Sequence, residues 1–277
     1  MRIRVAAVQP RSRFGAEEQG NVGDALAWMD RAAAAGADLV VFPEGYPGPT
    51  NPINDYDAFG ALRERAAARG LHVVAGRIEP ADDERWHVVL HLIDDAGETV
   101  GVYRRATPHG PYVYRDIPAW EFDYVASDGA VPVYETKLGR IGLQVCSEVY
   151  STEQSRLLAL KGADVIVYPA GGAIKELIPP WSTLVWARAI ENLVYTVATQ
   201  NIYEDGEAGL ARIAAPEALL AQRADAGMVV ADLDLERLAF LREQDEQVES
   251  PRRCRTVPGL MRWRRPEVLS ELAELSP

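Results

Sequence analysis

A cysteine set directly after an apolar strand is a candidate nucleophile. This sequence has one at Cys146, which follows the run Ile141 to Val145 in Gly142-Leu143-Gln144-Val145-Cys146-Ser147-Glu148. A carboxylate in the same kind of position is a candidate base, and Glu44 follows Leu39 to Phe42 in Phe42-Pro43-Glu44-Gly45-Tyr46. In layered α/β proteins functional groups gather where strands end and loops begin. Such a pair could supply a thiolate nucleophile with a carboxylate to take its proton. A free cysteine is more often a small buried hydrophobe, and a glutamate after a strand is more often solvated. The pair therefore carries chemistry only if the fold brings both strand ends together.

Other candidates carry less. His87 and His91 share one face of a predicted strand, but a third ligand is lacking nearby, so no metal or other cofactor is expected. The loop Ala170-Gly171-Gly172-Ala173 lacks the Lys and Ser/Thr of a phosphate-binding loop and is expected to shape a pocket wall. Tyr46, Tyr112, Trp120 and Tyr150 come from loops expected around the mouth, where their rings could stack on a small-molecule substrate. Trp181, at a predicted helix start, could reach the pocket, whereas Trp186 on the same helix reads as packing.

The elements that must position these residues alternate along the chain. Strands are expected at Ile3 to Val8, Asp38 to Phe42 and Leu71 to Ala75, with helices at Ala25 to Ala35 and Ala58 to Arg69. Trp86 to Ile93 and Thr99 to Tyr103 read as a hairpin. After a long aperiodic stretch from Ala106 to Gly129, strands follow at Val131 to Glu135, Arg140 to Val145, Asp164 to Tyr168, Leu193 to Thr199 and Met228 to Ala231. Helices are expected from Thr152 to Lys161, from Ser182 to Asn192 behind Pro179-Pro180, and near Leu235 to Leu241. The run Ala35-Gly-Ala-Asp-Leu-Val-Val-Phe-Pro43 is echoed by Lys161-Gly-Ala-Asp-Val-Ile-Val-Tyr-Pro169, which suggests two related halves.

With 277 residues, 48% of them hydrophobic and 25% charged, the chain has the composition of a soluble globular protein. A net charge of −12 argues against nucleic acid, and the basic stretch Arg252 to Arg265 has acidic segments on both sides. Two cysteines are too few for a disulfide framework and fit a reducing compartment. The start lacks a signal-peptide core, and no run approaches the roughly 20 apolar residues that cross a bilayer. A cytoplasmic location without membrane contact is expected.

Four blocks in order resemble the nitrilase superfamily of carbon–nitrogen hydrolases: Val5-Ala6-Ala7-Val8-Gln9-Pro10, Phe42-Pro43-Glu44, Gly139 to Glu148, and Ala187-Arg188-Ala189-Ile190-Glu191-Asn192. The resemblance implies a four-layer α-β-β-α sandwich over residues 1–250, with the tail 251–277 packing on the domain or on a partner subunit in a homodimer or higher oligomer. It also implies a Glu-Lys-Cys triad with a second glutamate. Glu44 and Cys146 match, but the family's Tyr-Arg-Lys motif here reads Tyr103-Arg104-Arg105, so Arg105 stands at the lysine position. Glu121 fits the second glutamate loosely, and Glu135 less well because it lies inside a predicted strand. Arg105 could stabilise an oxyanion, pair with Glu44 or Glu121, or hold an acidic substrate. Ser147 offers a backbone donor, Glu148 could orient the elbow or touch substrate, and Ala170 lies on the expected pocket wall. The function implied is hydrolysis of a small amide or carbamoyl compound, rather than a nitrile, through a Cys146 thioester. An acyltransferase, or a non-catalytic member created by the Arg105 change, are the competing expectations.

Overall fold

The two apolar strands that open the chain, β1 (Arg2–Gln9) and β2 (Leu39–Val41), lie parallel and adjacent, and β3 (His72–Pro80) continues parallel beyond them. Parallel neighbours need long crossovers, which α1 (Gly20–Ala34) and α2 (Ala58–Arg69) supply. Asp57 caps α2 by accepting from the Gly60 amide, and Gly70 ends it at φ +63°. The hairpin β4 (Trp86–Ile93) and β5 (Thr99–Arg104) adds antiparallel. On the far edge β14 (Gly227–Asp234) pairs antiparallel with β1, giving the order β14-β1-β2-β3-β4-β5. This is a computed structural model describing residues 1–50, 54–82, 84–108, 112–114, 117–118, 121–124, 131–172, 175–243 and 254–270.

The second sheet repeats the plan. It comprises β8 (Val133–Thr136), β9 (Gly139–Leu143), β10 (Val165–Gly172), β11 (Tyr195–Asn201), β12 (Ala211–Ala215) and β13 (Ala218–Arg223), in the order β13-β12-β11-β10-β9-β8. Its three parallel strands β9, β10 and β11 are linked by α3 (Thr152–Leu160) and α4 (Ile178–Asn192). The α4 helix starts earlier than the expected Ser182, because Pro179 and Pro180 sit inside its first turn, where a missing N–H costs nothing. A small ribbon of β6 (Tyr112–Tyr114) and β7 (Ile117–Pro118) lies in the stretch that had no sequence period. The chain ends through α5 (Leu235–Glu243) and the short α6 (Pro266–Leu269). Between them the turn Leu260–Trp263 is tied back by Gly259 N–H donating to the Leu241 carbonyl at 2.8 Å.

Alternation along β2 shows how the layers form. Leu39 and Val41 pack with Ile141, Leu143, Val165 and Val167 of the other sheet, whereas Val40 turns to Met29, Phe59 and Leu62 of the helices. The two sheets thus share one core and each carries helices outside, an α-β-β-α sandwich. The echoed segments occupy matching places in the two sheets. Asp38 accepts from the Arg4 amide at 2.7 Å, donates its own amide to the Arg4 carbonyl at 2.7 Å and receives His72 N–H at 2.9 Å. Asp164 does the same with Arg140, at 3.0 and 2.7 Å, and with Tyr195 at 2.9 Å. Among the described residues no helix is long and apolar enough to cross a membrane.

Candidate active site

Glu44 leaves the end of β2 and is 3% exposed. Its backbone is fixed from the other sheet: its amide donates to the Ala170 carbonyl at 3.3 Å, and Asn201 Nδ2 donates to its carbonyl at 2.9 Å. The echo pairs position 44 with position 170, so the two matching strand ends hydrogen-bond to each other across the sandwich. The carboxylate is held as firmly. Arg105 Nη1 donates to Oε1 at 2.9 Å and the Gly171 amide to Oε2 at 2.8 Å. A Cβ at Gly171 would lie 3.3 Å from Oε2, so the bare backbone permits this approach.

Arg105 follows β5 and is 1% exposed. Besides Glu44, its guanidinium donates from Nη2 to Ser147 Oγ at 2.5 Å and from Nε to the Thr107 carbonyl at 2.7 Å. Of the partners the sequence left open for Arg105, the structure supplies Glu44. Glu121 is exposed at the start of the described segment 121–124.

Cys146 follows β9 at φ +48°, a left-handed conformation that costs a non-glycine residue about 1–2 kcal/mol and recurs at functional sites. It opens a 3-10 turn, Cys146–Tyr150, and its carbonyl accepts from Trp181 Nε1 at 3.1 Å. Arg188 braces the same turn by donating Nε to the Val149 carbonyl at 2.9 Å. Although the residue is only partly buried, burial of the sulfur pushes the thiol up to about 12, and the Glu44 charge adds to that. Arg105 and the amides of Gly171 and Ser147 oppose the shift. The resting group is therefore a thiol that ionises only when its proton has somewhere to go.

This has a direct consequence. In a Cys254→Ser background, Cys146 should react with iodoacetamide at pH 8 roughly a hundredfold more slowly than an ordinary thiol of pKa about 8.5, its far smaller thiolate fraction being offset in part by the greater nucleophilicity of a more basic thiolate. Its rate should climb about tenfold per pH unit up to pH 11, because the thiolate fraction does. Alkylation followed by mass spectrometry checks this, and a plateau near pH 9 would contradict it.

The remaining residues divide by burial. Glu148 is fully buried, and its carboxylate is taken up by Tyr103, Ala106 and Val145, so it faces the elbow and not an open pocket. Tyr46, expected at the mouth, is 1% exposed. It packs on Phe42 with its hydroxyl donating to the Asn21 carbonyl, because the turn after Glu44 carries it under α1. Trp181 and Ala170 are buried beside the cluster, whereas Tyr150 is 47% exposed. The Tyr112 backbone lies in β6, and Trp120 is outside the described residues. His91 Nε2 lies 2.6 Å from Glu79 Oε1 and His87 Nδ1 lies 3.1 Å from the Asp123 carbonyl, so each ring has its own partner. Asn201 and Thr107 were not among the expected site residues, Gly171 was expected only as part of a pocket wall, and Tyr103 only as part of the Tyr-Arg-Arg motif. Gly171 and Asn201 both sit at strand ends, the signal that had marked Glu44.

Comparison with known proteins places the chain. An omega-amidase of Danio rerio is 27% identical over 88% of this chain and 92% of its own length. A carbon–nitrogen hydrolase from Helicobacter pylori superposes with a TM-score of 0.81 at 19% identity, covering 99% of each chain. A point mutant of the amidase from Nesterenkonia sp. AN1, solved with the acetamide moiety of fluoroacetamide added covalently at its active-site cysteine, gives 0.76 at 22% identity, covering 97% of this chain and 96% of its own. The profile of the family described as Carbon-nitrogen hydrolase matches residues 4–243, and the chain belongs to that family of enzymes.

Proposed function

We propose that this carbon–nitrogen hydrolase cleaves the amide bond of a small molecule through a thioester on Cys146, with Glu44 as general base and acid. The observation that carries the reading is the buried cluster in which Arg105 bridges Glu44 and Ser147 near the sulfur, while the Gly171 amide donates to Glu44 and holds the thiol down. As Sγ attacks the carbonyl carbon, its proton passes to Glu44. The tetrahedral oxyanion is met by fixed donors, of which the Ser147 amide is one. Glu44 then gives the proton to the leaving amine as the C–N bond breaks. Water attacks the thioester as Glu44 takes one of its protons, and when the C–S bond breaks Glu44 returns that proton to the sulfur, so that the carboxylic acid leaves and the thiol is restored. Arg105 stays a cation throughout, so its part is to hold Glu44 and to balance the charge that develops. The omega-amidase and amidase names of the relatives favour amides as the substrate class.

Intact-protein mass spectrometry after exposure to small amides and activated esters tests this. The wild type should gain one acyl mass that Cys146→Ala does not, and equal labelling of both would overturn the proposal. Arg105→Lys is expected to acylate about 10- to 100-fold more slowly. One ammonium cannot replace a fork that reaches Glu44, Ser147 and the Thr107 carbonyl together. Faster acylation by the lysine variant would show that the arginine impairs the site.

A further inference from the structure

The cation and the nucleophile come from different sheets. Arg105 follows β5 at the edge of the first sheet, and Cys146 follows β9 of the second. The Arg105 side chain reaches across to Ser147, and the Tyr134 hydroxyl donates to the Val102 carbonyl of β5, but the backbone on either side of Arg105 needs its own anchor to the elbow. We infer that Glu148 is that anchor, a positioning residue that sets the distance between the Arg105 guanidinium and the Cys146 sulfur. The inference rests on the thioester reading given above.

The carboxylate of Glu148 is shared between the two strand ends. On the β5 side, the Tyr103 hydroxyl donates to both of its oxygens at 3.0 Å and the Ala106 amide donates to Oε1 at 2.7 Å. These residues bracket Arg105, two before it and one after. On the elbow side, the amide of Val145, which precedes Cys146, donates to Oε2 at 2.7 Å. Glu148 is itself locked in the 3-10 turn, its amide donating to the Val145 carbonyl at 2.9 Å while its own carbonyl accepts from Gln144 Nε2 at 3.2 Å. Glu148 and Tyr103 are both fully buried, which removes substrate contact as the reason for the carboxylate. Burying an acidic group is costly, and burial pushes the Glu148 carboxyl up; the amides of Val145 and Ala106, the Arg105 charge and the Tyr103 hydroxyl oppose that shift, and all belong to the two segments being joined.

The chemistry of the tie is selective. Ala106 and Val145 offer backbone N–H groups, which cannot turn round to accept. Glutamine brings one acceptor oxygen and an NH2, so one of those two amides would face another donor. Aspartate is a methylene too short to reach both strands. The Tyr103 hydroxyl can reorient, so its loss costs less.

A double-variant cycle tests the inference, with the burst of p-nitrophenolate from p-nitrophenyl acetate reporting acylation of the full-length chain. Glu148→Gln should lower the acylation rate about 100-fold with KM changed less than threefold. In an Arg105→Ala background the same substitution should cost less than threefold, because the cation it positions is gone. Tyr103→Phe, which leaves both backbone bonds to Glu148 in place, should lose about tenfold and show the same dependence on Arg105. It serves as the reporter if Glu148→Gln does not fold. A full loss that persists without Arg105, for either variant, would make Glu148 a general scaffold residue and overturn the inference. Wild type that acylates normally while the cycle is additive defeats only this inference. Acylation that survives Cys146→Ala defeats the thioester reading and this inference with it.

Discussion

Cys146→Ser should lower amide turnover by at least about 10⁵-fold while leaving the melting temperature within a degree or two of wild type. The folded structure has little reason to notice the change. The elbow conformation at φ +48° belongs to the backbone, and the Trp181 bond is made to the carbonyl of residue 146. The chemistry has every reason to notice. The base available is a carboxylate, which takes a proton from an alcohol far less readily than an imidazole does. The thiol, already pushed up to about 12, is near the limit of what such a base can activate during attack. A hydroxyl lies several units beyond, and each unit is worth about tenfold. Steady-state assays with a small amide, alongside thermal melting, check both halves. A serine variant within tenfold of wild type would mean that sulfur is not the nucleophile.

The strand ends that carry the proposed chemistry stand out in the sequence because the signal is local and doubled. An apolar run followed at once by a chemically active residue occurs at Glu44 and at Cys146, and the echoed Gly-Ala-Asp segments mark the strands beside them. What could not be read was anything decided by the second sheet meeting the first. Asn201 and Gly171 reach Glu44 only because β10 and β11 end opposite β2. The partner of Arg105 was equally open, since a guanidinium after a strand can serve several carboxylates, and packing alone selects Glu44. The hairpin β12–β13 escaped for a different reason. Ala211 to Arg223 is rich in Ala, Leu, Glu, Gln and Arg, all good helix formers. Its strands form because Ala211, Ile213 and Ala215 fill the core beside β11, with Pro216-Glu217 making the turn. Tyr46 shows the opposite failure, an aromatic near the proposed base that the core claims first.

Glu44→Gln is expected to separate the two properties of Cys146, losing about 10⁴-fold in turnover while making the sulfur easier to alkylate at neutral pH. The loss follows from the role. An amide cannot take the thiol proton, return it to the leaving amine or activate the water, and a single such transfer is worth about 10²–10⁴. Geometry adds to it, because glutamine cannot present an acceptor to both Arg105 Nη1 and the Gly171 amide, as Glu44 does at 2.9 and 2.8 Å. It would also leave a buried guanidinium without its counter-charge, so the melting temperature should fall, consistent with the roughly 3–5 kcal/mol that breaking such a pair costs. The gain in alkylation follows from the charges around sulfur. Glu44 raises the thiol and Arg105 lowers it, and removing the carboxylate leaves only the cation. The thiol should then titrate below its wild-type value, with iodoacetamide reacting about tenfold faster at pH 8. Parallel turnover and alkylation rates on the two proteins decide the matter. If both rates fell together, Glu44 would act by holding the site in shape; if turnover fell while alkylation rose, it acts as the base.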